Sequence, residues 1–202
     1  RISLLNGNII VAGSGATDKT LSEFAMNNDI GGFEFLSCIP GTVGGGIRMN
    51  SGCFENEFKD ILISVQAINR SGEVLTIPKK DIKFGYRYCD LAKDLIFLSA
   101  SFKGSKKNRE EILKDLNNLK SKKEKAQPTR IKTGGSTFKN PIKQTDKKVW
   151  KIIKESIPSN IQFGDAIISE KHANFFVNKN NASYRDMKKL IDFVKENVKN
   201  KT

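Results

Sequence analysis

The densest run of glycine in the chain occupies residues 39–52, with the sequence Ile-Pro-Gly-Thr-Val-Gly-Gly-Gly-Ile-Arg-Met-Asn-Ser-Gly. Glycine has no Cβ, so consecutive backbone N–H groups can approach a single anion, as they do in phosphate sites. Arg48, Asn50 and Ser51 add further donors in the same run. The pattern predicts either a phosphate-binding loop or a purely structural loop.

Common nucleotide-binding motifs do not fit the glycine segments. Residues 41–46 have the glycine spacing of a P-loop, but Ile47 stands where that motif requires lysine. Residues 13–15 form a Gly-Ser-Gly turn between a predicted strand and a predicted helix, but Asp18 replaces the third glycine of the dinucleotide fingerprint. The sequence therefore excludes both a P-loop and a Rossmann site.

Ser136 stands in a second glycine turn, Gly134-Gly135-Ser136-Thr137-Phe138-Lys139-Asn140-Pro141. The two glycines can leave its hydroxyl exposed, and Lys139 and Asn140 add donors nearby. A hydrolase nucleophile fits poorly, because the G-x-S-x-G elbow is absent and the only histidine, His172, has no assured partner. The alternative is a capping serine before a strand.

Arg87 lies between two tyrosines, Tyr86 and Tyr88. Its guanidinium is suited either to bind a carboxylate or phosphate through a fork of N–H groups, or to stack on the aromatic rings at the surface. His172 is open to two interpretations as well, a ligand contact or an interior histidine. The residue types alone leave these alternatives open.

The elements that must position these residues follow from hydrophobic periodicity and turn signals. The first half is predicted to contain a strand at 8–12, a turn at 13–15, a helix at 17–27 capped by Thr17 or Asp18, strands at 61–69 and 73–77 joined by a turn at 70–72, and a strand at 95–102. The second half is predicted to contain helices at 108–125, 145–155 and 184–198 and a strand at 174–177. Hairpins and helices out of strict alternation favour an α+β fold. We expect the domain boundary just before the helix at 108, giving domains 1–107 and 108–202.

Composition narrows the class of protein. The 202 residues are 38% hydrophobic, and no apolar run is long enough to span a membrane. Three cysteines, Cys38, Cys53 and Cys89, with one histidine fit reduced thiols in the cytoplasm, and fit neither a disulfide framework nor a metal site. The net charge of +13 suits nucleic acid, an acidic membrane surface or an anionic small molecule, although the codon bias of an AT-rich genome toward lysine would explain much of it.

Taken in order, these segments resemble the UDP-N-acetylenolpyruvoylglucosamine reductase family. The glycine run resembles that family's Ile-Pro-Gly-(Ser/Thr)-Val-Gly-Gly stretch, and the four residues from Asn50 resemble its Asn-x-Gly-Ala segment. Tyr86-Arg87 is similar to the family's Tyr-Arg pair, and residues 135–141 match its Gly-Ser-x-Phe-Lys-Asn-Pro run. Residues 171–175 and Asn178 match the branch with the shorter substrate domain.

The resemblance implies an FAD-binding region of the vanillyl-alcohol-oxidase (PCMH) type, represented by its second half, followed by an α+β substrate-binding domain. It also implies that the chain lacks both ends of the family's sequence. The cofactor-binding residues it implies are Pro40, Gly41, Thr42, Val43, Gly44, Gly45, Asn50 and Gly52. The substrate-binding residues it implies are Tyr86, Lys125, Lys139, Asn140 and His172.

The activity implied by the resemblance is FAD-dependent, NADPH-driven reduction of UDP-N-acetylglucosamine enolpyruvate to UDP-N-acetylmuramate for peptidoglycan, and thus for cell wall growth, cell shape and division. Arg87 would stabilise the developing charge, and Ser136 would donate a proton. We then expect a cytoplasmic monomer with no nucleic-acid, membrane or metal partner. Two alternatives remain: a natural fragment that catalyses nothing, and a basic nucleic-acid-binding module.

Overall fold

The computed structural model describes residues 1–129, 131–158 and 160–201. These residues divide into two compact units, Arg1–Lys123 and Glu124–Thr202. Each unit combines an antiparallel sheet with helices. The predicted α+β class is therefore confirmed.

A five-stranded antiparallel sheet organises the first unit. Its strands are β1 (Ile2–Leu4), β2 (Ile9–Gly13), β3 (Leu62–Ile68), β4 (Val74–Pro78) and β5 (Ile96–Lys103), in the spatial order β1-β2-β5-β3-β4. The hairpin between β3 and β4 turns at Gly72, whose φ is 84°, and the side chain of Asn69 accepts hydrogen bonds from the backbone N–H groups of Ser71 and Glu73. The predicted hairpin and the predicted strands β2 and β5 are confirmed.

The helices of the first unit cover this sheet with an apolar core. The helical segments are α1 (Asp18–Asn27), α2 (Val43–Arg48), α3 (Phe58–Ile61) and two short 3-10 helices at Glu34–Cys38 and Lys79–Asp81. Three pairs of two-residue strands are also present: Ile30–Gly31 with Ser105–Lys106, Gly52–Cys53 with Asn56–Glu57, and Phe84–Gly85 with Tyr88–Cys89.

Aromatic rings pack edge-on in this core. The ring centroids of Phe58 and Phe102 are 6.0 Å apart, and those of Phe102 and Phe33 are 6.3 Å apart. Thr17 caps α1 as predicted, since its hydroxyl accepts from the backbone N–H of Thr20 at 3.0 Å.

The glycine run predicted as a loop is in part a helix, α2. Its residues Val43 and Ile47 are buried in the core. A Cβ built on Gly46 would lie 2.2 Å from the ring of Phe58, so the helix approaches that ring as closely as it does only because glycine stands there. Burial of one helical face thus overrides the low helix propensity of glycine.

The division between the units falls within the helix α4 (Arg109–Ala126), not before it. Ile112 of this helix is buried, and Lys107, just ahead of it, contacts both Glu34 and Asp115. Near the other end, Lys123 Nζ donates to the carbonyl of Cys38 at 2.8 Å. These contacts hold α4 as far as Lys123 on the first unit, where the sequence predicted the start of the second domain.

A four-stranded antiparallel sheet organises the second unit. Its strands are β6 (Thr133–Ser136), β7 (Gln162–Phe163), β8 (Ala166–Ile168) and β9 (Phe175–Asn178), in the order β6-β9-β8-β7. Helices α5 (Val149–Ser156) and α6 (Tyr184–Lys201) bury Ile153, Leu190 and Val194 in a second core with Phe176. The predicted β9, α5 and α6 are present, and α5 begins later than predicted.

Candidate functional site

The two glycine segments of the first unit lie side by side. The N–H of Gly44 donates to the carbonyl of Ser14 at 2.9 Å, and the N–H of Val43 donates to the carbonyl of Ala16 at 2.9 Å. Thr17 and Thr42 form an isolated β-bridge next to these bonds. The turn at residues 13–15 and the glycine run at the start of α2, which are separate motifs in the sequence, therefore form one surface.

This surface is suited to the close approach of a phosphate group. Gly15, Gly41 and Gly45 are exposed on it. A Cβ on Gly15 would meet nothing within 4 Å, and one on Gly45 only the Thr42 hydroxyl at 3.5 Å. The space in front of the backbone is thus open because the side chains are absent, which is what binding of a diphosphate by backbone groups requires.

The predicted cofactor-binding residues divide into exposed and buried groups. Pro40, Gly41, Thr42 and Gly45 are exposed, and Gly44 and Gly52 are partly buried. Val43 and Asn50 have no exposed surface. A cofactor lying on this surface would therefore meet backbone and small side chains, while the side chains of Val43 and Asn50 hold the segment in place.

Asn50 is a positioning residue for the segment that follows α2. Its backbone is left-handed, with φ 39°. Its Nδ2 donates to Glu57 Oε2 at 2.9 Å and to the carbonyl of Gly85 at 3.1 Å, and its Oδ1 accepts from the N–H of Lys59 at 3.1 Å. The side-chain amide thereby ties together three separate parts of the chain.

Arg87 lies against the end of the glycine segment. Its Nη2 donates to the carbonyl of Gly52 at 2.6 Å, and its Nη1 donates to the carbonyl of Asn50 at 3.2 Å. Glu57 Oε1 is 3.6 Å from Nη1, and the ring of Tyr86 lies 5.0 Å from the guanidinium carbon. The structure therefore brings the predicted catalytic Arg87 together with Tyr86 and the predicted cofactor segment.

Arg48, in contrast, has a structural role. Its guanidinium donates to the carbonyls of Leu91, Ala92 and Leu95 at 2.7, 3.1 and 3.0 Å. The guanidinium also stacks on the ring of Phe97, and its central carbon lies 4.2 Å from the centroid of that ring. This arginine fixes the loop before β5 to the end of α2.

Asp18 is a feature of this surface that sequence patterns did not single out as functional. Its side chain is fully buried at the start of α1, directly behind Gly41. A Cβ built on Gly41 would lie 2.9 Å from Asp18 Oδ2. Within the described residues, neither carboxylate oxygen has a hydrogen-bond partner, and the hydroxyl of Ser22 one turn later has none either. Burial raises the pKa of the Asp18 carboxyl to about 7.

Ser136 ends β6, an edge strand of the second sheet, and is exposed. Gly135 before it has a φ of 84°, and the pairing with β9 shifts register between Thr133 and Ser136. The buried Asn174 fixes the residues that follow, because its Oδ1 accepts from the N–H of Phe138 at 3.0 Å and its Nδ2 donates to the Phe138 carbonyl at 2.9 Å. Sequence analysis did not identify Asn174, although it lies within the matched segment 171–175.

The predicted substrate-binding residues of the second unit differ in their surroundings. Lys125 and Lys139 are exposed, Lys125 in the last turn of α4 and Lys139 at the rim of a groove beside α5 and α6. Asn140 is half-buried, and its Oδ1 accepts from the N–H of Val149 at 3.0 Å. Asn140 therefore supports the start of α5, which explains why that helix begins later than predicted.

His172 is half-buried between two aromatic rings. Its ring centroid is 4.8 Å from that of Phe175 and 6.0 Å from that of Trp150. Its Nδ1 accepts from the N–H of Asn174 at 3.3 Å, and burial lowers its pKa below the ordinary value. His172 is therefore neutral at neutral pH and helps position the turn before β9.

No group of three or more His, Cys, Asp or Glu side chains is arranged to hold a metal ion in residues 1–129, 131–158 and 160–201. Over the same residues, every helix is too short or too polar to cross a bilayer.

Comparisons with known proteins agree with this geometry. Residues 2–78 match the sequence profile of an FAD binding domain, and residues 127–202 match that of the UDP-N-acetylenolpyruvoylglucosamine reductase C-terminal domain. The first match covers both glycine segments, and the second covers Ser136 and His172. An FAD-binding region followed by a C-terminal α+β domain is therefore confirmed.

Individual relatives carry the same name. The UDP-N-acetylenolpyruvoylglucosamine reductase of Pelagibacter ubique is 66% identical over 201 residues, which are 100% of this chain and 67% of that protein. The Rickettsia canadensis enzyme is 40% identical and aligns with 98% of this chain and 66% of its own length. The crystal structure of the Thermus caldophilus enzyme superposes with a TM-score of 0.83 at 31% identity, covering 92% of this chain and 68% of that one. This chain thus spans about two thirds of the length of its relatives, and it belongs to the UDP-N-acetylenolpyruvoylglucosamine reductase family.

Proposed function

We propose that this chain takes part in the FAD-dependent, NADPH-driven reduction of UDP-N-acetylglucosamine enolpyruvate to UDP-N-acetylmuramate, a step of peptidoglycan synthesis. The observation that carries the proposal is the contact of Arg87 with the carbonyls of Asn50 and Gly52. This contact places a cationic group suited to an anionic substrate against the glycine run 39–52, which lies within the segment 2–78 that matches an FAD binding domain. The enzyme names of the relatives supply the reaction.

The glycine surface would hold the diphosphate of FAD. The exposed positions Gly15, Gly41 and Gly45 would let that group reach the backbone, and the open space in front of Gly15 and Gly45 supports this. FAD held there would supply the hydride for the reaction after its reduction by NADPH. The net charge of +13 favours approach of the anionic cofactors and the UDP-sugar.

Arg87 would stabilise the negative charge that develops on the substrate's carboxylate and on the adjacent carbon. A fixed donor is effective in this role because it needs no reorganisation when the charge appears. The contacts with Gly52, Asn50 and Glu57 fix the guanidinium in this way. Tyr86 packs on its face and limits its rotation.

Ser136 would donate the proton that completes the reduction. A hydroxyl is a weak acid near neutral pH, so the alkoxide left behind requires positive charge nearby. Lys139, three residues further along the chain, and Lys125 are the cations assigned to this task. His172 and Asn174 hold the adjoining turn in place.

In this proposed function, the chain acts as a cytoplasmic monomer that binds neither nucleic acid nor membrane. It is tested by incubating the purified chain with FAD, removing free dye and recording the visible spectrum. We expect the chain to retain flavin. Anaerobic NADPH should bleach the flavin absorbance, and UDP-N-acetylglucosamine enolpyruvate should then restore it. Mass spectrometry should detect UDP-N-acetylmuramate as the product. A folded chain that retains no flavin would support the alternative of an inactive fragment, and bleached flavin that this substrate does not restore would contradict the assigned reaction.

A further inference from the structure

Two of the three cysteines lie together in the first unit. Cys38 ends the 3-10 helix Glu34–Cys38, and Cys53 lies on the short strand Gly52–Cys53 that packs against that helix. The Cys53 sulfur lies 3.3 Å from the carbonyl oxygen of Phe35, one turn before Cys38 in that 3-10 helix, and both cysteines are free of disulfides. The proposed function uses neither of them.

The surroundings of Cys38 favour its thiolate. The neighbouring Cys53 thiol is the largest influence on its pKa, and the Ser37 hydroxyl lies 3.8 Å from the Cys38 sulfur. Lys123 brings positive charge to the same place, where its Nζ donates to the Cys38 carbonyl at 2.8 Å. Together these groups lower the pKa of the Cys38 thiol to about 6, so the thiolate predominates at neutral pH.

Cys53 behaves in the opposite way. Its proximity to Cys38 and its burial raise its pKa, and its sulfur lies 3.3 Å from the carbonyl oxygen of Phe35. Cys53 therefore keeps its proton while Cys38 is ionised. A low-pKa thiolate next to a second thiol is the arrangement found in redox-sensitive cysteine pairs.

We propose that Cys38 and Cys53 form a peroxide-sensitive dithiol that closes into an intramolecular disulfide. In the first step, the Cys38 thiolate attacks one oxygen of hydrogen peroxide. An S–O bond forms and the O–O bond breaks, so that the sulfur is oxidised to a sulfenic acid while the second oxygen leaves as hydroxide and takes a proton to become water. In the second step, the Cys53 sulfur attacks the Cys38 sulfur. The S–S bond forms, the S–O bond breaks, and the oxygen leaves as water with the Cys53 proton.

The position of this pair gives the disulfide a consequence for the chain. All of the residues predicted to bind the cofactor, from Pro40 to Gly52, lie between Cys38 and Cys53 in the sequence. A disulfide would close this segment into a covalent ring, which restricts the conformations that it can adopt. The oxidation itself does not depend on the proposed function, so it can be tested in the absence of FAD.

The test is a titration of the purified full chain with hydrogen peroxide at neutral pH, followed by thiol counting and non-reducing peptide mapping. We expect a loss of two of the three free thiols, a peptide that links Cys38 to Cys53, and reversal by dithiothreitol. The rate of thiol loss should fall as the pH drops below about 6, where Cys38 becomes protonated. A disulfide that includes Cys89, a covalent dimer, or retention of all thiols would overturn the proposal.

Variants separate the two steps. In Cys53→Ser, the sulfenic acid of Cys38 cannot be resolved and should be captured by dimedone. In Cys38→Ser, neither remaining thiol should be lost at the same peroxide dose. Cys89→Ser is the matched control, because Cys89 is 7% exposed, as is Cys38, and it should form the disulfide as the parent chain does. Mapping of the parent chain remains decisive even where a variant folds poorly.

Discussion

The Nη2 atom of Arg87 lies 2.6 Å from the carbonyl oxygen of Gly52, at the end of the glycine run 39–52 and within the segment 2–78 that matches an FAD binding domain. The backbone at Arg87 is left-handed, with φ 53°, a conformation that costs free energy for a residue other than glycine. The contacts of the guanidinium with Gly52 and Asn50 offset that cost. A strained residue held by its own side chain is typical of functional sites.

Arg87→Lys should slow reduction of the substrate by ~10²–10³-fold, the usual effect of removing one preorganised donor. Lysine keeps the charge but cannot donate to Gly52 and to a substrate carboxylate through a planar fork. Stopped-flow measurement would separate bleaching of the flavin by NADPH, which should change little, from its reoxidation by substrate. Arg70→Lys is the control, because Arg70 is exposed and pairs loosely with Asp94 at 3.9 Å. Equal reoxidation rates for parent and Arg87→Lys would contradict the role.

Ser136→Ala should leave reduction of the flavin by NADPH intact and slow its reoxidation by substrate by ~10²–10⁴-fold, the usual contribution of a general acid. The exposed position of Ser136 at the end of β6 means that its removal leaves no cavity. Rapid-reaction absorbance measures both half-reactions, with Ser121→Ala on the exposed side of α4 as control. Unchanged turnover of the substrate would rule Ser136 out as the proton donor.

Gly45→Ala and Gly46→Ala should have opposite effects, although the two residues are adjacent. A Cβ on Gly46 meets the buried ring of Phe58 at 2.2 Å, so this change should lower the free energy of unfolding by about 1–3 kcal/mol or more. A Cβ on Gly45 meets only the Thr42 hydroxyl at 3.5 Å, so stability should rise by up to about 1 kcal/mol through helix propensity.

The same pair distinguishes packing from binding. The Cβ of Gly45→Ala projects into the open surface proposed for FAD, and it should weaken FAD binding by about tenfold, or ~1.4 kcal/mol. Denaturant unfolding of the flavin-free chain and a fluorescence titration with FAD measure the two quantities. Loss of stability in Gly45→Ala would contradict the open packing at this position, and full FAD affinity in it would place the cofactor elsewhere.

Asp18→Asn should change how stability depends on pH. The pKa of Asp18 is about 7 in the folded chain against an ordinary value of 3.8, so the folded state retains a proton that the unfolded state releases between these values. The free energy of unfolding should therefore fall as the pH rises through that window, by up to ~1.4 kcal/mol per pH unit from this group. Asparagine does not ionise, so this contribution to the pH dependence disappears in the variant. Above pH 7, Asp18→Asn should therefore be more stable than the parent chain.

Unfolding by urea at a series of pH values measures this difference. Asp192→Asn is the control, because the Asp192 side chain is 45% exposed and pairs with Lys188 on the surface of α6. Parallel pH profiles for the parent chain and Asp18→Asn would show that the carboxyl is ionised in the folded state and that an unrecognised donor satisfies it.

The sequence predicted the long elements well because their apolar residues repeat with a clear period. The hairpin of β3 and β4 alternates along both strands, and α6 carries Leu190 and Val194 at helical spacing. Strands of two residues, such as Gly52–Cys53, are too short to carry a period. The glycine-rich α2 was predicted as a loop because its helical form depends on burial of Val43 and Ile47, which a local pattern does not reveal.

The candidate site could be predicted as motifs but not as an arrangement. The family motifs identified Arg87, Ser136 and the glycine segment, and their roles remain predictions. The clamp between Arg87 and Gly52 joins positions far apart in the sequence, so only the fold reveals it. Likewise, the buried state of Asp18 depends on the approach of Gly41 from another segment.

The makeup of α2 has a consequence for the order of folding. The helix has six residues, of which three are glycine, and it is far shorter than the ~12–15 residues that an isolated helix needs in water. Its first N–H groups are bonded to Ser14 and Ala16, which follow β2 much earlier in the chain. The segment can therefore take its native shape only after β2 has joined the sheet. We expect the glycine surface to form late, so that substitutions in α2 speed unfolding and leave the folding rate nearly unchanged.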